Sequence, residues 1–224
     1  MFAVLTSGYK GKLAVSTSVK SYHHGDLRAA LLAAAIESLE AGEAFSMRAV
    51  ARRAGVSPAA PYRHFADREA LDAAVAVEGF EDLRADLRVA LSEVPATAPA
   101  EDVVAAIGVA YVAFALRRPA VFRMMFGNEC DEENSERVQA SAQVHEVLDG
   151  VIEQIFPGVD VPGLSSALWS MAHGLAFLHL DGKFRPGSAE EVAARVRSSV
   201  AAVFAMSAHS HIPARRIPGQ EDPA

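Results

Sequence analysis

A chain of 224 residues, 51% hydrophobic and 22% charged, can bury a core and is not disordered as a whole. Its single cysteine, Cys130, excludes an intramolecular disulfide framework and most cysteine metal sites, and we expect this thiol to be inert. The net charge of −7 is unevenly distributed: residues 1–68 hold 9 Lys and Arg against 5 Asp and Glu, whereas residues 69–224 hold 12 against 23. A basic first third joined to an acidic remainder predicts two tasks, the first of them with a polyanion.

The ends of the chain and one apolar stretch bear on its location. Residues 1–21, rich in Ser, Thr, Lys and Gly, predict a flexible N-terminal arm without a signal peptide, and residues 209–224 predict a flexible tail. Residues 161–180 contain no Asp, Glu, Lys or Arg, but Pro162, serines, glycines and histidines make them too polar for a spanning helix. We therefore expect a cytoplasmic protein that does not bind a membrane.

Nearly all of residues 25–207 predict helix, because Ala is abundant and apolar residues recur at i, i+3 and i+4 without strand-like alternation. The first helix runs from Asp26, a good N-cap, to Glu40, and the second follows Ser46. The remaining predicted helices are 57–64, 67–94, 101–118, 119–126, 135–155, 163–182 and 188–207. The fold class predicted is all-α.

Residues 46–65, SMRAVARRAGVSPAAPYRHF, have the layout of a helix-turn-helix, whose second helix enters the DNA major groove. Gly55 supplies a sharp turn with positive φ. Ser57 caps the predicted recognition helix and Pro58 occupies its first turn, where a missing N–H costs nothing. Pro61 then loses only the first bond of a short helix that is rigid before it meets DNA, which reduces the entropy lost on binding.

The outward side chains of this helix suit DNA. Ala59 and Ala60 are small enough to bring the backbone near the bases, and their methyl groups can meet thymine methyls. Tyr62 and His64 carry donors suited to phosphate oxygens.

Several arginines add to this surface. Arg63 and, from the second helix, Arg48 can form bidentate bonds with guanine. Arg68 lies in the first turn of the fourth helix, where it opposes the helix dipole by ~0.3–1 kcal/mol, and a phosphate there would explain its presence. Arg52 and Arg53 fit either a solvated face or DNA contacts.

The segments YHHGDLRAALLAAAIESL and SMRAVARRAGVSPAAPYRHFADREALDAAV resemble the N-terminal DNA-binding domain of the TetR (tetracycline repressor) family, over about residues 20–75. The resemblance implies phosphate contacts from Tyr62, His64 and Arg68 and a base contact from Arg48. One departure is Pro61, where the family more often has Leu or Ile. The predicted DNA-binding residues are Arg48, Ser57, Ala59, Ala60, Tyr62, Arg63, His64 and Arg68.

Further along, ALWSMAHGLAF resembles a C-terminal ligand-binding domain found in some members of that family, marked by Trp and then by His-Gly four residues later. Together the two resemblances imply a homodimer, a DNA operator with two half-sites, and a small molecule that releases the protein from DNA. We divide the chain into an arm (1–21), a DNA-binding domain (22–70), an effector-binding and dimerisation domain (71–208) and a tail (209–224).

Trp169 and His173 share a helix face, which allows two interpretations. They form a pocket wall in which His173 makes a hydrogen bond to an effector, or they pack in the core or in the dimer interface. Aromatic and Met side chains either fill the core or line a cavity for a small apolar or amphipathic effector. His173 and His179 are six residues apart and lie on different faces, so we predict no metal site and no cofactor. The predicted ligand-binding residues are Phe114, Phe122, Met125, Phe126, Trp169, His173 and Phe177.

These features predict a TetR-type transcriptional regulator, usually a repressor, rather than an enzyme. Helices 163–182 and 188–207 should pair with their copies in a four-helix dimer interface. Two alternatives stay open: an all-helical enzyme that kept a DNA-binding domain, for which no nucleophile–base pair or phosphate loop is visible, and a DNA-binding dimer that responds to no ligand.

Overall fold

The computed structural model describes residues 24–127, 136–185 and 187–208, and all regular structure within these ranges is helical, which confirms the all-α prediction. The predicted arm and tail and Cys130 lie outside the described residues. The helices are α1 His24–Glu40, α2 Met47–Arg53, a 3₁₀ helix Pro61–Arg63, α3 Arg68–Glu93, α4 Ala100–Arg117, α5 Pro119–Phe126, α6 Glu136–Ile155, α7 Val161–Leu180 and α8 Ala189–Ala208.

The first helices form the predicted helix-turn-helix. α2 begins where Ser46 accepts a hydrogen bond on its Oγ from the N–H of Ala49, at 3.2 Å. Gly55 has φ of +69°, the left-handed conformation that a residue without a Cβ adopts most easily. Val50 and Phe65 are buried on either side of this turn, so the helix-turn-helix rests on the core of the molecule.

The third helix is shorter than predicted. The N–H of Ala60 bonds to the carbonyl of Ser57 at 2.9 Å, which closes a turn with Pro58 at its second position, and helical bonding then covers only Pro61–Arg63. Pro61 has no N–H, so the α-helical bond from residue 61 to the carbonyl of Ser57 cannot form. The chain instead makes a separate turn and one 3₁₀ turn, and Ser57 caps no helix.

α3 extends from the helix-turn-helix into the C-terminal helices. Asp67 caps it by accepting the N–H of Ala70 at 2.8 Å, as predicted. It packs against α1 at one end and against α4, α5 and α6 beyond. The predicted domain boundary between residues 70 and 71 falls inside this helix, so α3 belongs to both predicted domains and connects them rigidly.

The five helices after α3 begin and end within two residues of the predicted positions. α4 is central among them: it packs against α3, α5, α7 and α8, and its Val112, Phe114 and Ala115 are fully buried. Among the described residues no single helix, α7 included, has the length and apolarity to cross a membrane; α4 and α5 reach that threshold only together, and they meet at a bend of 107°.

Candidate DNA-binding surface and ligand cavity

Three arginines of the helix-turn-helix, Arg48 and Arg52 in α2 and Arg63 in the 3₁₀ helix, are exposed, and their side chains form no ion pair or hydrogen bond with any described residue. Tyr62, next to Arg63, is 55% exposed. Unpaired guanidinium groups and an exposed phenol are the groups that bind phosphate oxygens and base edges. We call these four residues the candidate DNA-binding surface.

Two other arginines of the same domain have internal partners. Arg53 forms ion pairs with Glu37 at 3.1 Å and Glu43 at 2.8 Å, and these hydrogen bonds raise the pKa of Arg53. Arg68 donates from Nη1 to the carbonyl oxygen of Phe45 at 2.7 Å, and its guanidinium lies 4.8 Å from the centre of the Phe45 ring. These intramolecular contacts are enough to explain why an arginine occupies the first turn of α3, and the explanation does not need a bound phosphate.

Arg68 also lies 3.5 Å from Asp72, one helical turn along α3. Burial raises the pKa of Asp72, and the positive charge of Arg68 opposes that rise. The Arg68 side chain is still 53% exposed, so a phosphate contact remains a prediction for this residue.

The smaller predicted contacts are divided between surface and core. Ser57 and Ala59 are exposed and His64 is half-buried. Ala60 is only 8% exposed, because the turn that precedes Pro61 directs residue 60 toward the core. The expectation that its methyl group meets a thymine methyl is therefore wrong for this conformation, and Ala59 alone can make that contact.

The predicted ligand-binding residues form a packed aromatic cluster. The ring centre of Phe122 lies 5.0 Å from that of Phe126 and 5.6 Å from that of Phe177. The ring of His173 lies 4.7 Å from Phe126, 4.8 Å from Phe177 and 5.3 Å from Trp169. Phe114, Phe122 and Met125 are among the largest fully buried side chains.

A polar triad is embedded in this cluster. The indole N–H of Trp169 donates to the hydroxyl oxygen of Tyr111 at 3.3 Å, and that hydroxyl lies 2.9 Å from Nδ1 of His173. Because an indole only donates, Tyr111 accepts from Trp169. Nδ1 of His173 is then the acceptor within reach of the Tyr111 proton, in the tautomer that carries the His173 proton on Nε2. Burial raises the pKa of Tyr111 and lowers the pKa of His173, so both groups are held neutral.

A cavity lies beside the triad, between α3, α4, α6, α7 and α8, and the centres of water molecules could occupy about 40 Å³ of it. Its lining is almost wholly apolar, and three of the residues that line it have a polar group in the side chain: Tyr111, His145 and Trp169. Of the predicted ligand-binding residues only Trp169 lines this cavity; the lining does not include the other six, which are Phe114, Phe122, Met125, Phe126, His173 and Phe177. His173 therefore lies behind Tyr111 and Trp169, which both line the cavity.

Side chains at the N-terminus of α5 and on nearby helices connect α5 to α1 and to α3. Glu40, the last residue of α1, accepts the backbone N–H of Ala120 on Oε2 at 3.3 Å and that of Val121 on Oε1 at 3.0 Å. A carboxylate at a helix N-terminus satisfies free N–H groups and interacts favourably with the helix dipole. Arg118, just before α5, forms an ion pair with Asp82 of α3. The N-terminus of α5 is thus held by α1 and by α3.

Sequence reasoning missed Tyr111, His145 and Glu40, and left Arg52 undecided. A signal existed for Tyr111, the one side chain with a polar atom in the otherwise apolar residues 103–116 of α4. No local pattern distinguishes His145 or Glu40, since the partners of Glu40 lie 80 and 81 residues away.

Residues 31–75 match the family model of bacterial regulatory proteins of the tetR family, and residues 104–203 match that of the tetracyclin repressor-like C-terminal domain. The chain belongs to the TetR family of transcriptional regulators. No curated protein sequence matches it.

Solved structures of similar fold agree with this assignment. A protein of unknown function from Rhodococcus sp. RHA1 is 32% identical to this TetR-family regulator, with a TM-score of 0.70 over 81% of this chain and 96% of that chain. A tetR-family regulatory protein from Rhodococcus RHA1 shares 21% identity and a TM-score of 0.55, covering 78% of this chain and 94% of that one. The TetR-family regulator PfmR from Thermus thermophilus shares 23% identity and a TM-score of 0.55, covering 76% and 95%.

Proposed function

We propose that this TetR-family regulator is a repressor that binds a palindromic operator as a homodimer and leaves it when a small molecule enters the C-terminal helices. The observation that carries the proposal is the candidate DNA-binding surface. In a chain of net charge −7, its three arginines have no partner among the described residues, although neighbouring carboxylates pair with Arg53. Positive charge left free in this way is suited to a polyanion.

We assign different tasks to the residues of this surface and to His64 and Arg68 beside it. Arg48 reads a base, because a guanidinium can bond two acceptors of guanine at once. Tyr62, His64 and Arg68 contact phosphates, which position the protein without specifying sequence. Arg52 joins them, since it is exposed and, within the described residues, unpaired.

The homodimer is supported by apolar surface on α7 and α8. Leu178 of α7 is 40% exposed and Met206 of α8 is 76% exposed. α7 contains no Asp, Glu, Lys or Arg along its whole length. Apolar surface of this kind, on two neighbouring helices of a regulator, is suited to pairing with the same helices of a second copy.

The proposed release mechanism runs from the cavity to the helix-turn-helix. Only about 40 Å³ of the cavity is open to the centres of water molecules, so an effector of ordinary size must push the surrounding helices apart. Tyr111 lines the cavity and its ring lies 5.6 Å from that of Phe122 in α5. α5 is in turn held by Glu40 of α1. An effector that moves α5 therefore changes the position of α1. The protein then has two states, one that binds DNA more tightly and one that binds the effector more tightly.

Salt-dependent DNA binding tests the proposal. A fluorescently labelled duplex is titrated at rising salt with the wild-type protein and with the variant Arg48→Ala/Arg52→Ala/Arg63→Ala. Each phosphate contact that is lost should lower the salt slope by about 0.9, so the triple variant should have a clearly smaller slope. Arg53→Ala is the matched control, because this arginine is already paired. Equal slopes for the two variants, or no binding by the wild type at low salt, would contradict the proposal.

A further inference from the structure

The cavity carries no charged side chain. None of its lining residues is Asp, Glu, Lys or Arg, and its wall is formed by apolar side chains together with Tyr111, His145 and Trp169. An ionised ligand would therefore lose its hydration there without gaining an opposite charge. The ligand that this cavity accepts is uncharged and mainly hydrocarbon.

Two of the three polar side chains have their hydrogen bonds already assigned. The N–H of Trp169 is donated to Tyr111, and the O–H of Tyr111 is donated to His173. Both protons are therefore in use, and the oxygen of Tyr111, which is only 4% exposed, already accepts one hydrogen bond.

His145 is the exception. Its Nδ1 lies 3.0 Å from the carbonyl oxygen of Ser141, and because a carbonyl only accepts, Nδ1 carries the proton and donates it. In a neutral imidazole the other nitrogen, Nε2, then accepts, and it has no partner among the described residues. The ring itself is held in place by Trp169, whose ring centre lies 5.0 Å away at an angle of 69°. Among the described residues that line the cavity, His145 thus has an acceptor nitrogen that no other described residue occupies.

We propose that the cavity binds an uncharged, mainly hydrocarbon molecule bearing one hydroxyl group, and that this hydroxyl donates its proton to Nε2 of His145. The inference rests on the effector site proposed above and adds the chemical class of the effector and the residue that selects it. The apolar body lies against the aliphatic wall, for example Ile107, Leu148 and Leu168. His145 favours a molecule that can donate a hydrogen bond over a molecule of the same size that can only accept one.

The chain provides a built-in probe for the test. Trp169 is its one tryptophan and lines the cavity, so fluorescence reports directly on binding at this site. The titrations use 1-hexanol, its isomer methyl pentyl ether, which cannot donate, and hexanoate, which is charged, at a pH where histidine is neutral. Ligand-induced shifts in melting temperature provide a second measurement.

We expect the wild type to bind 1-hexanol about 2- to 12-fold more tightly than the ether, which is the worth of one neutral hydrogen bond, and not to bind hexanoate. His145→Phe should remove the preference, and His145→Gln, which keeps an acceptor, should retain part of it. His179→Phe is the matched control, since His179 does not line the cavity, and should leave the preference unchanged.

Equal binding of alcohol and ether by the wild type, binding of hexanoate as tight as that of 1-hexanol, or no binding of any probe would overturn the inference. A parallel measurement of DNA binding keeps the two proposals apart. If 1-hexanol binds with the expected preference but leaves the DNA complex intact, the ligand class is supported and the release mechanism is overturned. If DNA is bound and no probe enters the cavity, the ligand class is overturned and DNA recognition stands.

Discussion

The carboxylate of Glu40, at the end of α1, accepts the backbone N–H of Val121, in the first turn of α5, at 3.0 Å. A residue in the part of the chain that matches the tetR family model thus caps a helix in the part that matches the C-terminal domain model. Ala120 donates to the other carboxylate oxygen at 3.3 Å. α5 also carries Phe122, whose ring lies 5.6 Å from that of Tyr111 at the cavity, so this cap connects α1 to a helix that packs beside the cavity.

Removing the cap should cost stability. We expect Glu40→Ala to lower the free energy of unfolding by about 1 kcal/mol, because two N–H groups lose their acceptor. Glu40→Gln should lose about half as much, since one carbonyl oxygen can still accept. Glu93→Ala, at the exposed end of α3, is the matched control and should stay within about 0.5 kcal/mol of the wild type. Urea denaturation measures all three, and equal losses for Glu40→Ala and Glu93→Ala would show that the cap contributes nothing.

The close approach of α3 and α5 depends on Gly79. A Cβ at this position would stand 2.7 Å from Sδ of Met125 and from Cγ1 of Val121. Gly79→Ala should therefore destabilise the protein by about 1–3 kcal/mol through overpacking. In α6, Gly150→Ala meets no atom within 4 Å and should instead stabilise by up to about 1 kcal/mol through helix propensity. Stabilisation by both substitutions, in the same denaturation experiment, would refute the packing argument.

Stability should fall in mild acid. Burial lowers the pKa of His173 below its ordinary value of 6.5, so the unfolded chain binds a proton at a higher pH than the folded chain does. The free energy of unfolding is then greatest above pH 6.5 and decreases as the pH falls through that value toward the folded pKa. His179 acts in the same direction, through burial and the nearby charge of Arg195.

Urea denaturation of wild type and His173→Gln at about pH 7.5 and about pH 5.5 measures the contribution of His173. The variant should lose less stability between the two pH values, whatever its stability at the higher one. The same loss in both proteins would mean that His173 does not carry this pH dependence.

Arg48 should determine base preference. Arg48→Ala is expected to relax the preference at one position in each half-site, by ~1–3 kcal/mol, while Tyr62→Phe should weaken binding to all sequences alike. Arg53→Ala should change neither, because Glu37 and Glu43 hold this side chain. Fluorescence anisotropy with the preferred site and its single-base variants checks the assignment. If Arg48→Ala kept the wild-type ranking of sites, base reading by α2 would be disproved.

Much of the fold could be predicted from the sequence, because helix caps and apolar periodicity are local. α2 begins directly after Ser46, as predicted, and α3 begins directly after Asp67, within one residue of the predicted start. α1 begins at His24, two residues before Asp26, so the prediction that Asp26 caps it is wrong. The third helix was predicted as too long, because Ser57 and Pro58 are equally compatible with a helix start and with a turn. Pro61 decides in favour of the turn, because it has no N–H to donate to the carbonyl oxygen of Ser57. That oxygen accepts the N–H of Ala60 instead.

Three of the four residues of the candidate DNA-binding surface, Arg48, Tyr62 and Arg63, were among the predicted contacts, whereas the lining of the cavity was not predicted. Phe and Met side chains occur both in pocket walls and in cores, so the residue types of Phe122 and Met125 do not distinguish the two. In the structure both side chains are buried in the core. His145 lines the cavity because α6 packs against α7 beside Trp169, a tertiary relationship that residue spacing does not encode. Likewise, whether an arginine is free depends on neighbours such as Glu43, which pairs with Arg53 and leaves Arg52 unpaired.

The most direct test of a dimeric, DNA-binding regulator is selection of bound duplexes from a random-sequence pool by the full-length wild-type protein. We expect the enriched sequences to contain an inverted repeat whose half-sites are centred about 10–10.5 base pairs, or a multiple of this, apart. Such a repeat reflects two helix-turn-helix units related by a two-fold axis. A pool without enrichment, or with a single unrepeated half-site bound by one copy of the chain, would contradict the account.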